Sequence, residues 1–341
     1  MSSASFKGRK DKQLIMLNPE TKLIPDLSKP AMAATRDGYG KGLMTAGEKD
    51  DRVVVLCADL TESTRCEEFK KKFPERFIEM GVAEQNLALV ASGMANYGKI
   101  PFAASYAVFS PGRNNEQIRT NISLNNVPVK IVGAHAGISV GPDGATHQAL
   151  EDIALMRVQP NMVVVVPCDA VEAEKATLAA AVNDKPTYLR LGREKSAVFT
   201  TPATPFEIGK AITLRDGADV TIIGCGMLLY NALMAAEELS KEGIECMVVN
   251  SHTIKPLDEK TIIEAAQKTG AVVSVEEHQV NGGLGSAIAE LLAKNQPTPQ
   301  EFIGLQDRFG ESGTAEELIE ACGLDIAHIK EAVKKVIARK K

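Results

Sequence analysis

Short apolar, β-branched runs alternate along most of this chain with longer stretches whose apolar residues recur at helical spacing. The runs at 53–56, 129–132, 163–166 and 187–191 read as strands. Between them, 84–97 reads as a helix with Leu87, Val90, Ala91 and Met94 on one face, and 170–181 as another helix. At 196–210 the periodicity breaks in a cluster of Thr200, Thr201, Pro202, Thr204 and Pro205, and the alternation then restarts. Strands are expected at 220–223, 246–249 and 271–275, and helices at 228–241, 260–268 (capped by Asp258) and 286–294. Two amphipathic helices near 315–322 and 326–338 close the chain. Continuous apolar strands between helices imply sheets covered on both faces, hence two parallel-sheet α/β domains. The expected layout is a polar N-terminal arm at 1–30 with Pro19, Pro25 and Pro30, a first domain at 31–195, a linker at 196–210 and a second domain at 211–341. Each domain is long enough for a core of its own.

Composition narrows the function classes. Against 39 basic side chains stand 44 acidic ones, a formal charge of −5, which lacks the positive field a generic nucleic-acid binder needs. The best apolar run, 162–167, is far short of the ~20 residues of a membrane helix. The basic N-terminus (Lys7, Arg9, Lys10, Lys12) is followed only by a brief apolar run at 14–17 without a small-residue cleavage site, so no secretion signal is expected and the cytoplasm is the expected compartment. The six cysteines include no C-x-x-C pair and none at metal spacing with a histidine, so neither a disulfide framework nor a zinc site is expected.

Three stretches carry candidate chemistry. Glu84 opens a predicted helix, where a carboxylate suits the helix dipole whether or not it does chemistry. The stretch from Gly133 to Gln148 follows a strand and places His135, Asp143 and His147 among glycines, where open α/β sheets bind ligands. Asn281 to Ser286 looks like a phosphate cradle but lacks G-x-G-x-x-G spacing, and packing at a strand-to-helix turn explains its glycines equally. Arg36, Arg190 and Arg193 could converge on an anion, since guanidinium forks suit phosphate. Tyr106 and Phe109 are either core or a ring-stacking platform.

Taken in order, Ala34–Arg36, Cys57–Leu60, Phe77–Asn86, Ala104–Phe109, the 135–148 loop and Lys255–Asp258 resemble the C-terminal half of the transketolase family, from about Ala31 to the end. Deoxyxylulose-phosphate synthases and the beta subunits of 2-oxoacid dehydrogenases are looser relatives. The resemblance implies a pyrimidine-binding domain followed by the transketolase C-terminal domain, and thiamine diphosphate as cofactor. The family's G-D-G motif for the diphosphate and Mg²⁺ does not occur in the sequence. The expected partner is therefore a separate N-terminal transketolase subunit carrying that motif and the divalent cation, in an α2β2 assembly.

Carried over residue by residue, the resemblance makes Glu84 the carboxyl that exchanges a proton with the pyrimidine ring nitrogen, and Tyr106 and Phe109 the rings packed around that pyrimidine. His135 and His147 assist proton transfer. With Asp143, Arg36 and Arg193 they contact a sugar phosphate, and Arg190 is the alternative should the register differ. No metal ligand is expected on this chain. The spacing from His135 to Asp143 equals that of transketolase and exceeds the synthase loop by one residue. The implied activity is transfer of a two-carbon ketol unit from a ketose phosphate to an aldose phosphate. A decarboxylating enzyme of the synthase or 2-oxoacid type, or a paralogue without catalysis, is the alternative. Three positions depart from the family: Cys57 in place of a phosphate-binding serine, Ala136 in place of an aspartate, and Gly112 in place of an aromatic.

Overall fold

The structure, a computed structural model, describes residues 17–340. The first sheet has seven strands in the order Thr253–Lys255, Val163–Val165, Thr187–Arg190, Lys130–Ala134, Ile100–Tyr106, Val53–Cys57 and Phe77–Glu79. All neighbours are parallel except the first pair. The second sheet has five, in the order Gln300–Leu305, Val272–Gln279, Val220–Gly224, Cys246–Asn250 and Ile212–Arg215, with only the last pair antiparallel. The expected α/β architecture of two largely parallel sheets is therefore present.

The two halves are less separate than the sequence suggests. Thr253–Lys255, from the second half, forms the edge of the first sheet. A single apolar cluster also runs from Val54, Leu87 and Ile131 through to Ile223, Val249 and Leu292. The stretch read as a linker begins with a strand, Ser196–Val198, paired antiparallel with Ala31–Ala33. The arm, as far as it is described, is tied down too. Leu27 is buried against the second half, the Asn18 amide donates to the Leu214 carbonyl (2.9 Å), and the Tyr230 hydroxyl donates to the Leu27 carbonyl (2.6 Å). Residues 1–16 of the arm lie outside the described residues.

One element had no periodic signal. The helix Thr35–Lys49 contains Gly38, Gly40, Gly42 and Gly47, a composition that disfavours a helix in isolation. The glycines let it lie against the helix Ala170–Val182: a Cβ on Gly38 would stand 1.8 Å from the Ala170 carbonyl oxygen, and one on Gly42 would stand 2.8 Å from that of Glu174. Backbone contact replaces side-chain interdigitation at this crossing. The helix Glu84–Asn96 forms as expected, but its inner face carries Leu87, Ala88, Ala91, Ser92 and Ala95, while Val90 is exposed. The buried stripe is thus rotated from the expected one, and it includes the polar positions Glu84 and Ser92.

Candidate active site

The site lies at the carboxyl ends of the central strands of the first sheet. Tyr106 is the last residue of the strand Ile100–Tyr106, and His135 directly follows Lys130–Ala134. Parallel strands all deliver their carboxyl ends to one edge, so residues far apart in sequence meet there. Tyr106 and Phe109 stack with centroids 6.1 Å apart and planes 17° apart. The His135 ring lies on Tyr106 at 3.9 Å, and His147 meets Phe109 edge-on at 5.6 Å. The two rings and two histidines expected from sequence therefore form one aromatic wall.

Glu84 stands at one end of this wall. Its carboxylate is 2% exposed and accepts a 2.7 Å bond from Arg113, whose guanidinium sits 5.2 Å from the Phe109 ring centre. Asn114 donates to the Glu84 backbone carbonyl (2.9 Å) and to Ser110 (3.1 Å), fixing the first turn of the helix against the segment after Phe109. Neither Arg113 nor Asn114 was singled out from the sequence. Both stand after the aromatic pair with no periodic or motif signal, and only the turn at 106–114 aims them at Glu84.

The opposite end is cationic. Arg36 Nη1 donates to the Ser63 carbonyl (2.9 Å) and lies 3.4 Å from His135 Nε2. Arg65 is engaged by Asp37 at 2.7 Å, and Arg193 reaches Asp143 at 3.5 Å and donates to the Val140 carbonyl at 2.7 Å. Arg36 has no carboxylate at ion-pair distance among the described residues, and its Nε is buried without a partner. Burial first, then the neighbouring Arg65, depresses its guanidinium from the ordinary value. Burial, reinforced by Arg36, Arg193 and Arg65, pulls His135 down to about 3, so its ring is neutral near pH 7. An arginine can only donate, so Nε2 of His135 accepts and the proton sits on Nδ1, which is buried without a partner.

The glycine-rich loop is held by the second half of the chain. The Ser139 amide donates to the Glu277 carboxylate (2.6 Å), and Gln148 donates to the Glu311 carbonyl (2.9 Å). Gly137 has φ 91°, and a Cβ there would stand 2.3 Å from Glu277, so both conformation and space exclude a side chain. His135 itself adopts φ 55°, a left-handed conformation uncommon outside glycine. The strain occurs at a residue aimed into the site.

Several sequence expectations change. Arg190, the alternative anion ligand, is buried in an ion pair with Asp152 (2.8 Å) and donates to the Glu277 carbonyl (2.8 Å), so it braces the two halves and is not a site residue. Cys57 is fully buried with its sulfur against Thr64 (3.6 Å), and the residue of that loop beside Arg36 is Ser63. Ala136 is buried in a small apolar cluster with Ala107 and Ala149. Gly112 packs on the backbone: a Cβ there would be 2.0 Å from the Val108 carbonyl oxygen. At the 281–286 loop, Glu276 accepts from the Leu284 (2.7 Å) and Gly285 (2.8 Å) amides, so the protein's own carboxylate fills the apparent cradle.

A flat aromatic wall beside a buried carboxylate fits a ring that carries a basic nitrogen. No group of three or more acidic, histidine or cysteine side chains able to hold a cation occurs among the described residues. No described helix is long and apolar enough to cross a membrane.

Comparison with known proteins gives the family. Residues 31–197 match the family described as transketolase, pyrimidine binding domain, and residues 209–329 match transketolase, C-terminal domain. The chain is 41% identical over 305 residues to the 6-deoxy-6-sulfo-D-fructose transketolase subunit SqwH of Clostridium sp. (strain MSTE9), covering 89% of this chain and 95% of that one. It is 39% identical to transketolase-like protein 2 of Mus musculus, covering 96% of this chain but 52% of that longer protein. A solved structure described as a split gene transketolase, inactive beta4 tetramer, superposes with a TM-score of 0.85 at 46% identity, covering 90% of this chain and 99% of that one. With both of its halves matched in order, the chain belongs to the transketolase family and carries that family's pyrimidine-binding and C-terminal domains.

Proposed function

We propose that this chain is the C-terminal subunit of a two-subunit transketolase, holding the pyrimidine of thiamine diphosphate while a separate N-terminal subunit holds the diphosphate and Mg²⁺. The observation that carries the reading is the buried carboxylate of Glu84, linked through Arg113 to the Tyr106–Phe109 platform. When bound, the cofactor would supply the nucleophilic carbon that accepts the two-carbon unit. Glu84 would hold or release a proton at the ring nitrogen, and the two aromatic rings would orient the pyrimidine and exclude water. His147, at the edge of Phe109, would move a proton at the substrate hydroxyl, and neutral His135 would donate from Nδ1. Asp143 and Arg193 orient the sugar. Arg36, without a carboxylate partner, suits the substrate's anionic end.

The name of the Clostridium relative refers to a sulfonated ketose, so the anion need not be phosphate. A ketose phosphate donor and an aldose phosphate acceptor remain the leading pair, because the arginine fork serves either anion. The solved relative described as an inactive tetramer of beta chains supports a requirement for the partner. The assembly is proposed as α2β2 in the cytoplasm.

The test is reconstitution with the N-terminal subunit, followed by ketol transfer from phosphorylated and sulfonated ketoses. Activity is expected only in the mixture. Turnover by this chain alone, unchanged by the partner, would overturn the two-subunit reading, and release of CO2 from pyruvate would favour the decarboxylating alternative.

A further inference from the structure

Arg113 makes two contacts that a bound pyrimidine would need for itself. Its Nη1 takes one oxygen of the Glu84 carboxylate at 2.7 Å, and its guanidinium covers Phe109 at 5.2 Å from the ring centre. The two partners differ in freedom. Glu84 is 2% exposed, whereas the Arg113 side chain is 51% exposed and has no other hydrogen bond among the described residues. Its backbone is fixed, because the Arg113 amide donates to the Phe109 carbonyl (2.9 Å), Asn114 is anchored to Glu84 and Ser110, and Gly112 has no room for a side chain. The side chain alone is free to leave.

We infer that Arg113 is a displaceable counter-ion, which neutralises Glu84 and covers Phe109 in the cofactor-free subunit and swings to solvent when the pyrimidine enters. The inference rests on the reading of Glu84 and Phe109 as the pyrimidine site. A carboxylate this buried is unfavourable without a partner, so the empty subunit needs a cation there. The guanidinium lies over the Phe109 ring on which the pyrimidine would stack, and holds the Glu84 oxygen on that side, so the entering ring displaces the arginine. Arg113 is therefore a positioning residue that sets cofactor affinity through Glu84, at the cost of a conformational penalty on binding.

Two measurements test this. In the isolated chain, Arg113→Met should lower the thermal midpoint, and Glu84→Gln in the same chain should remove most of that loss, because the neutral amide needs no counter-ion. In the complex with the N-terminal subunit, calorimetric titration with thiamine diphosphate and Mg²⁺ should show about tenfold tighter binding for Arg113→Met, the order expected when a competing contact worth one decade is removed. Arg113→Lys, which restores a cation, should return affinity towards that of the unaltered chain. Unchanged or weaker cofactor binding in Arg113→Met, or no coupling between the two substitutions in the isolated chain, would overturn the inference. Failure of the underlying site reading looks different, since Glu84→Gln would then leave ketol transfer by the complex intact.

Discussion

Arg36 Nη1 sits 3.4 Å from Nε2 of His135, and this one contact fixes the tautomer of a buried imidazole at the centre of the site. Because the ring is held down to about 3, His135 stays neutral in the folded chain while its unfolded counterpart titrates near 6.5. Between those values the unfolded state binds the extra proton, so stability is complete above pH 6.5 and is lost as pH falls toward 3. His135→Gln should therefore flatten the acid limb of the stability profile, removing roughly 2–3 kcal/mol of the loss between pH 6.5 and 4.5. Denaturant unfolding of both chains across that range measures the difference. Equal slopes would show that His135 takes up its proton in the folded state.

Glu84→Gln preserves the shape of a buried side chain but removes the exchangeable acid. In the reconstituted complex it should reduce ketol transfer by ~10²–10⁴-fold, the usual contribution of a positioned acid–base group. Retained cofactor binding by titration would separate this from loss of the site, and full activity would refute the role assigned to Glu84.

Arg190 and Arg193 stand three positions apart in sequence and should respond oppositely. Arg190 neutralises buried Asp152, which also accepts from the Tyr188 hydroxyl at 2.6 Å. Arg190→Met would leave a buried carboxylate without its cation and should cost about 3–5 kcal/mol of stability. Arg193 is half-buried beside Asp143, so Arg193→Met should leave stability within ~0.5 kcal/mol and raise KM for the anionic ketose. Denaturant midpoints and initial rates on the two variants check both halves of the contrast.

Cys57→Ser tests whether position 57 touches substrate. The thiol is fully buried and faces Thr64, so restoring a hydroxyl should change KM for phosphorylated ketoses by less than about twofold, within the small effects expected away from the site. A tenfold fall in KM would mean that the hydroxyl reaches the anion after all.

Much of the fold was written locally. The β-branched runs marked the strand that leads into His135, though not the strand Ile100–Tyr106, and the motif residues Tyr106, Phe109, His135 and His147 did meet at one sheet edge. What failed was the reading of elements whose signal is non-local. The helix Thr35–Lys49 is rich in glycine because another helix lies against it, and short edge strands such as Thr253–Lys255 carry too few residues for a period. Val90 misled because the buried face includes Glu84 and Ser92, polar positions that a count of apolar residues ignores.

By itself, the sequence determined the α/β alternation, the glycine-rich loop with its two histidines, and the family. These depend on residue types and short spacings, which the chain carries in linear order. The tertiary structure alone decided that Arg190 braces the two halves while Arg36 meets a backbone carbonyl and no described carboxylate, that Glu276 fills its own glycine loop, and that Arg113 lies on Glu84. Each of those outcomes is a choice among charged partners. Such choices turn on distance and burial, because a charge that loses water must find a counter-charge wherever the fold places one.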